Sequence, residues 1–368
     1  MFRNSGSAFV VAAAAMVLIS IACAPNPGAP EGNQGVNTLL LMPPEDAQEG
    51  VSSAPAAEIT TRSWTSVDYA PTGTRRHSRQ RYDLRLPSTG DGPFPLLIYV
   101  HGGGFSGGEW ALSSNNNGLV SGASSRGYAV ASVGYLLMGQ SGWSGGQRAF
   151  PELVEDVLAA VRHLRANADT YHLDPNRFAI SGFSAGAYLT AIVCALSGAQ
   201  DHGFDITSLG NAGVSHAVQA AASSAALTDF SLLETHESIN GGGMLNHDVN
   251  PEGALLGGHL QNDKNNEPMK TYLRMQNPLT HISAVTPPIY MLHGTSDNLV
   301  PWQQSEIMVN KINEFVPGKA IFNKVTGRSH ADFDAATNAT TIAILNFLDE
   351  NMPSGGTSGV KETAREIR

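Results

Sequence analysis

The chain has 368 residues, 42% of them apolar, which is enough to build a sizeable core in one large α/β domain. Its formal charge is −10, and its Lys and Arg residues are scattered, with no basic cluster or basic helix face. A phosphate backbone calls for a concentrated positive surface, so nucleic acid is excluded as a partner.

In chain order, Arg3 precedes the apolar run "AFVVAAAAMVLISIA" at residues 8–22, too short for a comfortable membrane span and ending in small residues. Residues 1–22 therefore read as a signal peptide. Cys23 follows in "ISIAC", the setting of a bacterial lipoprotein processing site, although Ser20 stands where an aliphatic residue is usual. Lipidation of Cys23 would anchor the protein at a membrane; soluble secretion after cleavage past Ala24 is the competing reading. Either way the expected location is outside the cytoplasm, in the cell envelope, the periplasm or the medium. Residues 23–58 are rich in Pro, Gly, Ala, Ser and Asn and read as a flexible tether, and residues 353–368 as a flexible tail. Cys194 is the only other cysteine, so once Cys23 is lipidated or removed no intrachain disulfide can form, and it reads as a small buried hydrophobe.

Between these ends, over residues 59–352, strand-like and helix-like segments alternate. Strands are expected at 81–87, 94–100, 127–135, 177–181, 216–225, 288–294 and 320–327, several of them apolar almost throughout, as suits strands covered on both faces. In "PELVEDVLAAVRHLR", residues 151–165, Leu153, Val157, Val161 and Leu164 recur at three- and four-residue steps, which predicts a helix with one face on a sheet. Further helices are expected after residue 186, after Pro301, and over residues 338–350. The pattern predicts an α/β fold: a mostly parallel, doubly wound sheet of about eight strands with helices on both faces. Residues 234–270, rich in Gly, Asn and His, read as a variable cap or loop over a cleft.

The chemistry starts from "FAISGFSAGAYLTAI", residues 178–192. A strand runs into a helix with only Gly182-Phe183-Ser184-Ala185-Gly186 between them. Glycine at both flanks removes side chains that would clash in so sharp a reversal, and leaves Ser184 at a strained apex beside the positive end of a helix. Ser181 lacks that frame and reads as the end of the strand. Upstream, His101-Gly102-Gly103-Gly104 follows an apolar strand, and such a run exposes backbone N–H groups that can close on an oxygen gaining negative charge. Gly103, Gly104 and Ala185 are the candidate donors, with His101 bracing the loop. No phosphate-loop ending or spacing accompanies it. Downstream, Asp297 lies just past an expected strand, and His330 is the last histidine of the chain. The order nucleophile, acid, base assigns Ser184, Asp297 and His330 as a catalytic triad. Asp332 and Asp334 are poorer candidates for the acid, Glu306 and Glu314 fall in the helix after Pro301, and His293 and His281 read as structural or surface residues. There is no metal-binding motif, and triad chemistry needs no cofactor.

With these residues in this order, the chain resembles the α/β-hydrolase fold. Within it, the chain is similar to the hormone-sensitive-lipase-like carboxylesterases and, more narrowly, to the bacterial feruloyl-esterase-like branch. The resemblance spans roughly residues 64–350 and rests on "YVHGGGFSGG", "FPELVEDVLAAVRHLR", "LDPNRFAISGFSAG", "NPLTHI" and "PPIYMLHGTSDNLVP" beyond the triad. It implies hydrolysis of carboxylic esters with short acyl or aryl-acyl groups, including acetyl or feruloyl groups on carbohydrates. The chain departs from the family where Tyr135-Leu136 replaces a usual Tyr-Arg, removing a charged brace. A serine peptidase or amidase of the prolyl-oligopeptidase or formamidase type shares the fold and triad order. A surface adhesion lipoprotein without activity is the alternative of another class.

Overall fold

In the computed structural model, the described residues are 59–353 without 72, 74–76, 116, 139–149, 198–202, 206, 234, 237–266 and 331–337. The signal segment, Cys23, the tether, most of the expected cap, the tail, Asp332 and Asp334 lie outside them.

The strands are β1 (Ser63–Asp68), β2 (Arg81–Arg85), β3 (Phe94–Val100), β4 (Ala129–Val133), β5 (Leu173–Phe183), β6 (Ala220–Ser224), β7 (Ile289–Gly294) and β8 (Ala320–Val325). They form one eight-stranded sheet in the order β1-β2-β4-β3-β5-β6-β7-β8. From β4 to β8 every pairing is parallel, while β2 runs antiparallel to both β1 and β4. This is the α/β-hydrolase arrangement expected from the sequence.

Strand β3 shows why the sheet is covered twice. Every residue from Phe94 to Val100 is buried. Successive side chains point to opposite faces, so Leu96, Ile98 and Val100 join one apolar cluster while Leu97 and Tyr99 join another. The first cluster packs beneath α2 (Glu152–Ala166), α3 (Ala185–Leu196) and α5 (Gln303–Phe315). The second packs beneath α1 (Gly118–Ser125) and α6 (Asn338–Asn351), with Leu119, Val120, Ile344 and Leu348 among its helical members. A further helix, α4 (Glu267–Gln276), falls partly in the stretch expected to be a cap.

Helix α2 lies on the sheet by Leu153, Val157, Val161 and Leu164 as expected, and on its other side Glu155, Asp156 and Arg162 are buried as well. The segment after residue 203 covers that side, with Asp205 N–H donating to the Glu155 carboxylate at 2.9 Å. Asp156 is sheathed by donors from His77 (2.7 Å), Gln80 (2.7 Å) and the Leu136 N–H (2.9 Å), which satisfy a carboxylate that would otherwise be costly to bury. Ser181 does not end its strand, since β5 continues through it to Phe183, with Ser181 paired to Tyr99 on one side and Ala222 on the other. Residues 63–68, assigned to no element from sequence, form β1 at the sheet edge.

Cys194 sits fully buried in α3, its thiol directed at the Pro287 carbonyl and pushed up to about 12 by burial. An apolar shell of this kind suits a packing role.

Candidate active site

Helix α3 begins one residue after β5 ends, so Ser184 makes the entire turn. Its backbone stands at φ 55°, ψ −119°, a region that non-glycine residues rarely occupy and that costs about 1–3 kcal/mol. The surroundings hold it there. Ser184 N–H donates to the Ser224 carbonyl at the end of β6 (3.0 Å), and its own carbonyl accepts from Tyr188 N–H in α3 (3.0 Å). The flanking glycines are a steric necessity: a Cβ on Gly182 would run into the Gly186 carbonyl, and one on Gly186 into the Val100 carbonyl.

Asp297 and His330 come from the loops that follow β7 and β8. These loops are stitched together: Thr295 N–H donates to Val325 O (3.0 Å), Ser296 N–H to Arg328 O (3.0 Å), and Gly327 N–H to the Thr295 hydroxyl (2.9 Å). Gly294 permits the approach, because a Cβ there would collide with the Arg328 carbonyl. The result brings together the three residues singled out from sequence. His330 Nδ1 lies 2.7 Å from Asp297 Oδ2, and His330 Nε2 lies 2.9 Å from Ser184 Oγ. The Phe183 ring, 5.0 Å from the imidazole, packs beside it.

Asp297 is buried, at 2% exposure. Burial alone would raise its pKa, but hydrogen bonds from His293 and His330 outweigh desolvation and hold the carboxyl well below the usual carboxylate range. Its Oδ1 accepts the N–H groups of Leu299 (3.0 Å) and Val300 (2.8 Å). Its Oδ2 is shared by His330 and, at 3.2 Å, by His293 Nε2. His293 was set aside in the sequence reading, yet it stands directly behind the acid. Fully buried, it also reaches the Val300 carbonyl at 2.9 Å and the Ser305 hydroxyl at 2.7 Å. Its position four residues before Asp297, at the end of a buried strand, is the signal that marks it. Glu306 and Glu314 lie on α5, as expected, and pair with Lys324 (3.7 Å) and Lys311 (2.7 Å). His281 turns away to the Met275 carbonyl.

The glycine loop after β3 packs against the serine: a Cβ on Gly102 would lie 3.4 Å from Ser184 Cβ. Gly103 and Gly104 have φ of 117° and 58°, and the Gly103 carbonyl accepts from Ser106 N–H (3.1 Å) and Gly107 N–H (2.9 Å), folding the loop onto itself. Phe105 anchors it from below, edge-on to Tyr188 of α3 with ring centres 5.6 Å apart. Ala185 opens α3 beside Ser184, at the positive end of the helix. His101 braces the loop rather than facing Ser184: it stacks on Tyr135 (4.4 Å between centres), and Tyr135 in turn donates its hydroxyl to the His101 carbonyl (2.8 Å). Such a set of groups, a hydroxyl hydrogen-bonded to an imidazole whose far side meets a carboxylate, with backbone donors alongside, is suited to acyl transfer.

The profile of a family described as BD-FAE matches residues 82–312, more than half of the chain, and takes in Ser184 and Asp297. The chain belongs to the BD-FAE family. His330 lies beyond the matched span, so for that residue the geometry above stands by itself. Among its sequence relatives, the chain is 27% identical over 292 residues to the "Probable carboxylic ester hydrolase LipM" of Mycobacterium tuberculosis, covering 77% of this chain and 60% of that one. It is 24% identical over 263 residues to the isoprenylcysteine alpha-carbonyl methylesterase ICME of Arabidopsis thaliana, covering 69% of this chain and 54% of that one. The chain thus spans little more than half the length of these relatives. Among solved structures, a truncated carbohydrate esterase from gut microbiota superimposes with a TM-score of 0.65 at 23% identity, covering 79% of this chain and 96% of that one. That likeness carries the fold.

Proposed function

We propose that the protein hydrolyses carboxylic esters through a Ser184–His330–Asp297 triad and an acyl-enzyme. The observation that supports this most strongly is the imidazole of His330 held between the Ser184 hydroxyl at 2.9 Å and the Asp297 carboxylate at 2.7 Å. A serine hydroxyl is a weak nucleophile at neutral pH and needs a base within hydrogen-bond reach. As Oγ attacks the ester carbonyl, His330 Nε2 takes its proton, and the buried Asp297 carboxylate stabilises the imidazolium. The carbonyl oxygen becomes an oxyanion, for which the N–H groups of Gly103, Gly104 and Ala185 are the donors. His330 then returns the proton to the departing alcohol. Water repeats the sequence on the acyl-serine and frees the acid.

The esters we propose carry short acyl or aryl-acyl groups, with acetyl or feruloyl groups on carbohydrates as the leading class. The carbohydrate esterase among the structural neighbours supports the carbohydrate, and the sequence relatives support ester cleavage as such. The apolar run before Cys23 supports an encounter outside the cytoplasm, and the intact mass of the mature protein decides whether Cys23 carries lipid.

The test is a panel of p-nitrophenyl esters of graded acyl length, with methyl ferulate and acetylated xylan. Short acyl or feruloyl substrates should turn over, and Ser184→Ala should lower turnover by roughly 10⁴-fold or more. Hydrolysis by the wild type no faster than by Ser184→Ala would reject the reading.

A further inference from the structure

Arg79 stands in the connection between β1 and β2, and its side chain is 5% exposed. A guanidinium in such a place must find acceptors for its N–H groups. Its Nε donates to the Tyr135 carbonyl (3.1 Å), and Nη2 reaches both the Gly108 carbonyl (2.7 Å) and His101 Nε2 (3.1 Å). Glu109 meets Nη1 at 3.5 Å, and the Trp110 ring lies 5.1 Å from the guanidinium carbon. His101 opens the glycine loop and Gly108 closes it, so one buried cation grips both ends. It also stands beside Tyr135-Leu136, supplying from another strand connection the charge that Leu136 lacks.

The contact with His101 has a chemical consequence. A guanidinium only donates, so His101 Nε2 must accept, and a neutral imidazole that accepts at Nε2 carries its proton on Nδ1. That proton points at the Gly102 carbonyl, 2.8 Å away. In a planar trans peptide, the Gly102 C=O and the Gly103 N–H lie in one plane and point in opposite directions. Holding the carbonyl therefore aims the amide. The Gly103–Gly104 peptide is aimed in the same way by the backbone bonds from Ser106 and Gly107, whereas the Gly102–Gly103 peptide relies on the imidazole.

We propose that Arg79 is a positioning residue: it selects the Nδ1–H tautomer of His101, which holds the Gly102 carbonyl and so directs the Gly103 N–H toward the oxyanion. The part played by the oxyanion rests on the ester-hydrolase reading above. Burial pushes the His101 pKa down to about 4, the bond to the Gly102 carbonyl opposes that, and the Arg79 charge adds to the lowering, which keeps the ring neutral at working pH. Without Arg79, the ring can take the Nε2–H form, turning a lone pair on Nδ1 toward the Gly102 oxygen and forcing the peptide to rotate.

Removing one oxyanion donor costs roughly 10²–10³ in kcat, so misdirecting one by Arg79→Met should cost about 10- to 100-fold, with KM changed little. In a His101→Asn background, where the amide NH2 can donate to Gly102 without a choice of tautomer, the same change should cost less than about threefold. Equal losses in both backgrounds, or an unchanged kcat in Arg79→Met, would overturn the proposal. A readout independent of catalysis is the ¹⁵N spectrum of the His101 imidazole in the full chain, which should show Nδ1 protonated in the wild type and Nε2 protonated, or a mixture, in Arg79→Met. A wild-type ring protonated at Nε2 would overturn the proposal whether or not any ester is cleaved. The expected tautomer in a protein that cleaves no ester would count against the ester-hydrolase reading and support the selection of tautomer by Arg79.

Discussion

Replacing Asp297 with Asn should lower kcat by roughly 10⁴-fold while leaving the fold and KM nearly unchanged. The reason lies in which face of the new amide can point where. Oδ1 of Asp297 accepts two backbone N–H groups, from Leu299 and Val300, so the amide oxygen of Asn must take that side. Its NH2 then faces His330 Nδ1, where the carboxylate Oδ2 now accepts at 2.7 Å. A donor there obliges Nδ1 to accept, moving the ring proton to Nε2, the atom that lies 2.9 Å from Ser184 Oγ. A protonated Nε2 cannot take the serine's proton. The side chain keeps its size and its two backbone bonds, and His293 Nε2–H, which loses Oδ2, keeps the Val300 carbonyl at 2.9 Å, so circular dichroism should change little and the urea midpoint should fall only modestly while turnover collapses. A loss below about tenfold in folded protein would mean that His330 does not depend on this carboxylate for its tautomer.

Gly186→Ala should be among the most damaging glycine-to-alanine changes at the described residues, costing about 3 kcal/mol or more and leaving little folded protein. Its Cβ would point into the Val100 carbonyl and lie 2.6 Å from the His101 carbonyl. These are main-chain atoms at the end of β3, a central strand that pairs with β5 through Val100 and Gly182. Side chains can swing aside from a new methyl; paired backbone cannot do so without breaking the ladder. The comparison is Gly127→Ala, where φ is 83° but nothing lies within 4 Å of the added Cβ, so only the local backbone strain of about 1 kcal/mol applies. Urea unfolding of both variants checks the contrast. Similar midpoints for the two would show that β3 and α3 can move apart at this point.

Much of this architecture can be read in the residues because the parallel strands are covered on both faces. "FPLLIYV" is apolar throughout for that reason, and its expected span coincides with β3. Elements at the margin carry weaker signals. β1, "SWTSVD", is an edge strand with alternating partial exposure broken by a bulge between Trp64 and Val67, where Ser66 takes φ 51°, so it shows neither an apolar run nor clean alternation. Helix α1, "GLVSGASS", is built from weak helix formers. It is started by the Asn117 side chain, which accepts from Leu119 and Val120 N–H, and is kept by packing against α6. The apolar steps of α2 are legible, but the burial of Glu155 and Asp156 is not, because their donors come from segments 20 or more residues away in sequence, which no local pattern reveals.

The site divides along the same line. Ser184, Asp297 and His330 are legible because each follows the end of a strand of the sheet, Ser184 at the turn into a helix and the other two in loops, and the glycines that permit close approach stand near them. His293 and Arg79 act through other residues, at distances set by tertiary packing, and neither stands in a motif of its own. His293 carries one faint signal, its place four residues before Asp297 at the end of a buried strand, and its part shows once β7 and α5 are seen to enclose it between Asp297 and Ser305. Arg79 is found only once the β1–β2 connection is seen to lie against the glycine loop.

Covalent labelling by a fluorophosphonate tests Ser184 as an activated nucleophile without any assumption about the ester. The full chain should gain one phosphonyl group by intact mass, mapped by peptide sequencing to Ser184, and Ser184→Ala should gain none. Folded wild-type protein that stays unlabelled, or that is labelled equally in Ser184→Ala, would contradict the account.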